Sequence, residues 1–345
     1  MDKLIQKLRE EKSLTEEDIR SIIVTEEPLL MEELQRAAEK VVFRHYGNKV
    51  YIRGLIEYSN YCKESCHYCG IQRGNQNIER FRLRKEDILS SVHKGYKLGF
   101  RTFVLQGGED PLLKEDYFTG VIREIKRIYP ETRITLSLGV KNFEDLSAFK
   151  KAGADRFLLR HEAAEEELFR KLHPKNQDFK KRKEALFLLK RLGYVTGTGF
   201  MIGAPFQKPE DLLADFRFLK ELEPEMIGVG PFIPQKDTIY RDFPQGDLKL
   251  TLRILALLRI LFPKALIPST TALNSIDERG RSLGILYGAN VIMPNLSPDY
   301  AKENYKLYDN KAITALESAE HINKLQEEMR KIKREIVVDR GDPVS

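Results

Sequence analysis

Cysteine is the residue this chain most nearly does without: three occur in 345 positions, Cys62, Cys66 and Cys69, all within eight residues. An odd number of thiols in one short run cannot build a disulfide framework, so a secreted, cross-linked scaffold is excluded. Long apolar runs are missing too. The most hydrophobic stretch, 248–266, is broken at helical intervals by Lys249, Arg253, Arg259 and Lys264, charges that a membrane-spanning helix would not carry. No signal-peptide pattern opens the chain, since Met1-Asp2-Lys3-Leu4-Ile5 mixes charges from the start. Nor does charge of one sign dominate. With 58 basic and 52 acidic side chains the net charge is +6 and the signs are interspersed. That makes a solvated surface and leaves a nucleic-acid partner without support. These absences predict a cytoplasmic protein with no membrane association, in a compartment that keeps thiols reduced.

What is present is a long α/β pattern. At 345 residues and 41% hydrophobic content the chain suits one α/β barrel with extensions. Residues 1–45 read as helices, with a cap-like start across Ser13 to Ile19 and helical spacing across 29–42. After Gly47-Asn48 the run Val50 to Tyr58 is strand-like and ends at the cysteines. Strand patterns follow at 102–105, 133–138, 156–159, 195–201, 226–229, 266–269 and 291–293. Between them lie amphipathic segments at 85–98, 116–128, 142–152, 179–192, 209–222 and 248–261. Gly99, Gly153 and Gly193 each follow a helical pattern, where a left-handed C′ residue belongs. Counting the first strand gives eight β/α units, which close most simply as a (βα)8 TIM-type barrel. An open doubly wound sheet is the alternative. The expected division is an N-terminal helical extension at 1–45, the barrel at 46–310, and a C-terminal helix and tail at 311–345. In that last part 312–336 reads as a charged helix and the end past Val338 as frayed.

The cysteines have C-x3-C-x2-C spacing in Tyr61-Cys62-Lys63-Glu64-Ser65-Cys66-His67-Tyr68-Cys69-Gly70. Iron–sulfur clusters normally take four cysteines. Three can hold three corners of a cubane and leave the fourth iron to a small molecule. A structural zinc ion would need a fourth ligand, for which His67, wedged between two of the cysteines, is poorly placed. Buried inert cysteines occur singly rather than as a triplet in one loop. Zinc therefore stays as the alternative to an open cluster.

In a barrel, reactive residues belong at the C-terminal ends of strands. The cysteine loop falls there. So do Gln106-Gly107-Gly108-Glu109-Asp110, Ser137-Leu138-Gly139, Arg160-His161-Glu162, Met201 to Pro205, Gly230-Pro231-Phe232, Thr270-Thr271 and Pro294-Asn295. Gly107 and Gly108 let backbone approach a ligand, and Glu109 can accept from an ammonium group; an ordinary turn is the plainer reading. Arg160 and Glu162 can share one side of an extended chain, for a ligand or for a rim salt bridge. Arg53 lies inside the first strand, where a charge facing the barrel must be paired or bind an anion. Thr270 and Thr271 can serve simply as helix caps.

The cysteine spacing, with Tyr68 before the last cysteine, resembles the radical S-adenosylmethionine (radical SAM) superfamily. Further blocks sharpen the resemblance. They include Ile56 to Cys62, Leu105 to Asp110, Thr135 to Gly139, Gly153 to Glu162, Gly228 to Pro234 and Gly288 to Asn295. Together, from about Lys49 to Tyr308, they resemble the HydE family of [FeFe]-hydrogenase maturases, in the biotin-synthase-like branch. The resemblance implies a full barrel and a [4Fe–4S] cluster on Cys62, Cys66 and Cys69, with SAM chelating the open iron. It implies SAM contacts from Tyr68, Gln106, Gly107, Gly108, Glu109, Ser137, Arg160, Glu162 and Arg182. Arg53, Thr135, Thr270, Thr271 and Tyr305 would face a substrate cavity suited to an anion. Many relatives carry further cysteines near the C-terminus for a second cluster; Ala312, Ala315 and Ala319 stand in that stretch here, so that cluster is expected to be absent.

The implied chemistry is reductive cleavage of SAM to methionine and a 5′-deoxyadenosyl radical, acting on a small cysteine-ligated iron carbonyl/cyanide precursor. Implied partners are a reductant protein such as ferredoxin or flavodoxin, and the other hydrogenase maturases. Biotin synthase and HydG-like maturases need auxiliary cysteines that this chain lacks. An amino-acid radical mutase resembling methylornithine synthase remains the enzymatic alternative, and an iron–sulfur carrier or electron-transfer protein the non-enzymatic one.

Overall fold

The computed structural model describes residues 1–309 and 321–344. Three helices, α1 (Asp2–Arg9), α2 (Glu16–Val24) and α3 (Pro28–Tyr46), precede β1 (Lys49–Ile52) and β2 (Gly54–Ser59). Then come α4 (Lys85–Lys97), β3 (Thr102–Gly107), α5 (Glu115–Ile128), β4 (Arg133–Ser137), α6 (Phe143–Ala152) and β5 (Arg156–Leu158). Next are α7 (Glu166–Leu172), α8 (Phe179–Arg191), β6 (Val195–Thr198), β7 (Met201–Ile202), α9 (Pro209–Leu222), β8 (Met226–Ile227) and β9 (Gly230–Pro231). The described chain ends through α10 (Leu248–Leu261), α11 (Thr271–Ile276), α12 (Gly280–Leu286), β10 (Val291–Ile292), α13 (Asp299–Asn304), α14 (Ile322–Lys331) and β11 (Glu335–Val337).

Local chemistry accounts for many helix ends. Thr15 and Asp18 form the capping box expected before α2, and Asn142, Asp178 and Asp247 each accept the N3 amide of their helix. Gly99, Gly153 and Gly193 have φ of +97°, +112° and +72°, a region in which a side chain would be strained.

The strands form a parallel ring. β2, β3, β4, β5, β6 and β8 are neighbours in that order. The ring continues by bridges: Met226 to Leu266, then Pro268 to Val291 of β10. It closes where β10 pairs with β1 (Tyr51 with Val291, Ile52 with Ile292) and Asn295 bridges Leu55. Taking β1 and β2 as one strand broken at Arg53, this is the eight-stranded α/β barrel expected. One apolar cluster, with Phe103, Phe118, Phe149 and Phe157, fills the space between sheet and helices. A second joins α1–α3 to α9, α10 and α14 through residues such as Leu34, Leu213, Leu255 and Met329. No helix among the described residues is long and apolar enough to cross a membrane.

The C-terminus departs from expectation. Ala312, Ala315 and Ala319, and the first part of the expected 312–336 helix, lie outside the described residues. Of the rest, residues 335–337 are not helical: β11 pairs in parallel with β1 (Lys49 with Glu335, Val50 with Ile336, Tyr51 with Val337). Beyond Val338 the tail is bonded rather than frayed. The Arg340 carbonyl accepts from Thr102 Oγ1 at 2.6 Å and Arg156 Nη2 at 2.9 Å, and Asp342 pairs with Arg133 and Arg156. The reason is an edge. β3 pairs only with residues from Gly54 onward, so the start of β1 offers unpaired backbone, which a further strand covers.

Candidate active site

The cysteine loop leaves the end of β2 and is tied down at both sides. Asn60 donates to the carbonyls of Glu79 and Asn304, both at 2.8 Å, and accepts from the Phe81 amide at 2.8 Å. The Arg80 guanidinium donates to the carbonyls of Asn60, Ile71, Gln72 and Asn75. One rigid fork thus gathers four loop carbonyls. Farther along, Gly70 N donates to Leu307 O at 2.8 Å and His67 N to Leu172 O at 2.9 Å.

The Gln-Gly-Gly-Glu-Asp turn after β3 packs directly on that loop. The Tyr58 hydroxyl donates to Gly108 O, and Asp110 takes bonds from Ser59 and Arg82 at 2.6 Å each. A side chain at Gly108 would put its Cβ 2.1 Å from Tyr61 O and 2.8 Å from Cys62 Cβ, so glycine is required for the approach. The Glu109 amide points at Cys62 Sγ, 3.4 Å away. The Glu109 carboxylate is 3.2 Å from Lys63 Nζ and accepts from Val140 N at 3.3 Å.

Across the opening, Glu162 ion-pairs with Arg160 at 3.1 Å. They share a side for a different reason than an extended chain supplies: Glu162 sits at φ +68°, a left-handed twist of the kind that clusters at functional sites. Beneath it His161 is wholly buried, with Nδ1 2.9 Å from Thr198 Oγ1 and Nε2 3.1 Å from Asp215 Oδ1. Burial pulls this imidazole down to about 3 and pushes Asp215 up. Arg182 on α8 donates to Arg160 O at 2.8 Å. Burial alone would weaken its charge, but Glu162, Tyr68 and Cys66 raise it above the ordinary guanidinium value.

These groups surround a cavity of about 340 Å³. Its wall includes Cys62, Cys66, Cys69, Tyr68, Gln106, Gly107, Gly108, Glu109, Ser137, Arg160, Glu162, Arg182, Thr270, Thr271 and Tyr305. Leu55, Leu159, Met201 and Met293 give it apolar surface. Thr270 precedes α11 but makes no capping bond, and its buried Oγ1 has no partner. Arg53 and Thr135 are not part of this wall. Leu55 and Ser137, two residues farther along the same strands, line it instead, so Arg53 and Thr135 face inward one layer deeper. There Arg53 Nε and Nη2 and Thr135 Oγ1 are buried without partners. Burial, and the neighbouring Arg156, pull the Arg53 guanidinium well below its usual value.

Sequence reading passed over several members of the site. Glu57 lines the cavity floor and accepts from Asn295 Nδ2 at 2.9 Å. Gln177 touches Cys66 Sγ, and His173 bonds the Tyr68 hydroxyl at 3.2 Å. No local spacing announces any of them; each reaches the site through the fold.

The three thiols suit an iron–sulfur group. Burial raises all of them, Cys66 to about 12, so they become thiolates when metal cations arrive and displace the protons. Among the described residues, no three His, Cys, Asp or Glu side chains converge on a point fit for one metal ion. A cluster needs no such convergence, because each thiolate binds a separate iron.

Comparison with known proteins agrees with this geometry. The model of the radical SAM superfamily matches residues 56–219. The chain is 41% identical over 308 residues to the [FeFe] hydrogenase maturase subunit HydE of Thermotoga maritima, covering 89% of this chain and 87% of that protein. It is 31% identical over 311 residues to the 3-methylornithine synthase of Methanosarcina acetivorans, covering 90% and 87%. Among solved structures, methylornithine synthase (PylB) superposes with a TM-score of 0.85 at 29% identity, covering 97% of each chain.

Proposed function

Because the chain belongs to the HydE family of radical SAM enzymes, we propose that it cleaves SAM reductively and acts on a small cysteine-ligated iron carbonyl/cyanide precursor. The product would serve assembly of the [FeFe]-hydrogenase active-site cluster. The observation that carries this reading is the cysteine triplet opening into a cavity rimmed by Glu109, Arg160, Glu162 and Arg182. Cys62, Cys66 and Cys69 would hold a [4Fe–4S] cluster, which when bound supplies one electron to the SAM sulfonium to give methionine and a 5′-deoxyadenosyl radical.

The protein's part is positional. Gly107 and Gly108 bring backbone against the ligand, and the carboxylates of Glu109 and Glu162 accept from its ammonium or hydroxyl groups. Arg160 and Arg182 offset those charges and offer donors to a carboxylate. The His161–Asp215 pair holds the left-handed turn at Glu162 in place. Farther in, the hydroxyls of Thr270, Thr271 and Tyr305 meet the substrate, and the buried Arg53 below them, with Nε and Nη2 unpartnered among the described residues, favours an anion. The apolar wall excludes water from the radical carbon. The electron comes from a reductant protein of the ferredoxin or flavodoxin class, with the other maturases as partners in the assembly.

A second reading, methylornithine synthesis, is favoured by the overlay at TM-score 0.85, though the identity to those enzymes is lower, 31% against 41%. Anaerobic incubation with dithionite and SAM decides the class: 5′-deoxyadenosine and methionine should form, and their absence would leave an iron–sulfur carrier. Adding either the iron carbonyl/cyanide–cysteine complex or lysine then separates the readings. Turnover of the complex supports the maturase; methylornithine from lysine overturns it.

A further inference from the structure

We propose that Gln177 is a positioning residue for the cluster, raising its electron affinity through a hydrogen bond from its side-chain amide to the Cys66 sulfur. The inference rests on reading the cysteine loop as a [4Fe–4S] site. Gln177 lies in the turn between α7 and α8, directly before Asp178, which caps α8 through the Lys181 amide at 3.0 Å. Its Nε2 is 3.2 Å from Cys66 Sγ and 2.9 Å from a carboxylate oxygen of Glu64. Both neighbours accept, so the amide orientation is determined: turned over, Oε1 would face two acceptors. The turn itself is anchored. Gln177 N donates to Pro174 O at 3.0 Å, and Arg170 reaches the Gln177 carbonyl at 3.4 Å. The residue is buried, so water does not compete for the bond.

An N–H aimed at a cysteine sulfur stabilises negative charge there, and hydrogen bonds to sulfur are among the factors that set cluster potentials. Reduction adds one electron, delivered by an external low-potential electron-transfer protein, with no bond made or broken in the protein. The bond from Gln177 strengthens as that charge arrives and so favours the reduced form. Glu64 acts in the opposite sense, because its carboxylate repels the incoming electron. One amide thus spans a group that opposes reduction and the sulfur on which its own donor promotes it.

The test is an EPR-monitored redox titration of the full chain after anaerobic reconstitution, with iron and sulfide assayed on the same samples. Gln177→Leu keeps the bulk and deletes the donor. It should hold a full cluster whose midpoint lies more negative than that of the wild type. Glu64→Gln, which removes the carboxylate and leaves the Gln177 bond to Cys66 in place, should move the midpoint the other way. A Q177L protein with a full cluster and an unmoved midpoint overturns the proposal while leaving the cluster reading intact. A wild-type protein that takes up no SAM-responsive cluster overturns the reading instead. Should Q177L fail to assemble, the wild type labelled with 15N at glutamine side-chain amides answers the question. Among the described residues Gln177 is the glutamine bonded to a cysteine sulfur. A 15N hyperfine coupling in the reduced cluster supports the bond, and a spectrum without it refutes the proposal.

Discussion

Replacing Asp342 with asparagine, three residues from the end of the chain, should destabilise the whole barrel. Arg156 explains why. Its side chain is completely buried, Nε and Nη1 have no hydrogen-bond partner, and Nη2 reaches Arg340 O and Asp342 Oδ1, each at 2.9 Å. Asp342 also takes Arg133 Nε at 2.9 Å and Nη2 at 3.1 Å. Burial would push this carboxyl up, but the bonds from Arg133 and Arg156 pull it down to about 2. Against an ordinary aspartate, a depression of nearly two pH units corresponds to about 2.5 kcal/mol at neutral pH. The side chain is one-third exposed, which reduces that to roughly 1.5–2 kcal/mol. The variant should therefore lose about 1.5–2 kcal/mol, a fall in Tm of roughly 2–3 °C for a chain of this size. Circular dichroism melts of the apo-protein measure it. A folded carboxyl depressed below its unfolded value stabilises above the unfolded value and stops doing so as pH falls through the folded one. The gap between wild type and D342N should thus hold steady from pH 8 to about pH 5 and close below about pH 4. Melts that coincide within about 1 °C at pH 7 would refute the reasoning.

His173 should give a pH dependence of the same sense in a higher window: burial, then Arg182, pull it down to about 3, against about 6.5 when unfolded. The apo-protein should lose stability as pH falls from about 6.5, and H173F should gain on wild type by about 2 kcal/mol between pH 7 and pH 5; parallel melting curves across that range would count against it. Gly108→Ala must displace either Tyr61 or Cys62, so iron and sulfide per chain after reconstitution should fall well below the wild-type content. A full complement in G108A would show that the loop yields more readily than its contacts suggest. Thr270→Val removes a buried hydroxyl that lacks a partner. Melting should be unchanged or slightly raised, while KM for an anionic substrate rises up to about tenfold, the worth of one hydrogen bond; an unchanged KM would remove Thr270 from the substrate site.

Where the chain's own neighbours decide a structure, the sequence was legible. The cap-like start across Ser13 to Ile19 is the Thr15–Asp18 cap, and the amphipathic segments at 142–152, 179–192 and 248–261 are helices whose caps, Asn142, Asp178 and Asp247, likewise bond three residues on. The cysteine triplet occupies one loop, and its spacing survives any fold. Strand order follows from the βα alternation. What escaped is settled at long range. The closed barrel was expected, but not the single bridges that complete it, such as Leu55 to Asn295, since a two-residue strand has no periodicity to read. β11 pairs with a strand some 286 positions earlier (Lys49 with Glu335), so its charged sequence read as the end of a helix. Gln177 and Cys66 are 111 positions apart.

Arg53 and Thr135 illustrate a subtler limit. Period-two alternation says which side chains enter the barrel, and both do, but it carries no information on depth along the axis. Depth decides their role. Ser137 and Leu55 stand at the level of the cavity, whereas Arg53 sits with Arg156 nearer the floor that the tail covers. A guanidinium there, with two nitrogens unpaired among the described residues, forms no part of the cavity wall, and it would act on an anion above it only through its field across a low-dielectric interior. Asp342 pairs with Arg156 and Arg133 from below, while Arg53 makes no ion pair with a carboxylate among the described residues and feels Asp342 only at longer range. The tail therefore does more than seal the barrel: it sets one carboxylate against two of the arginines at that end.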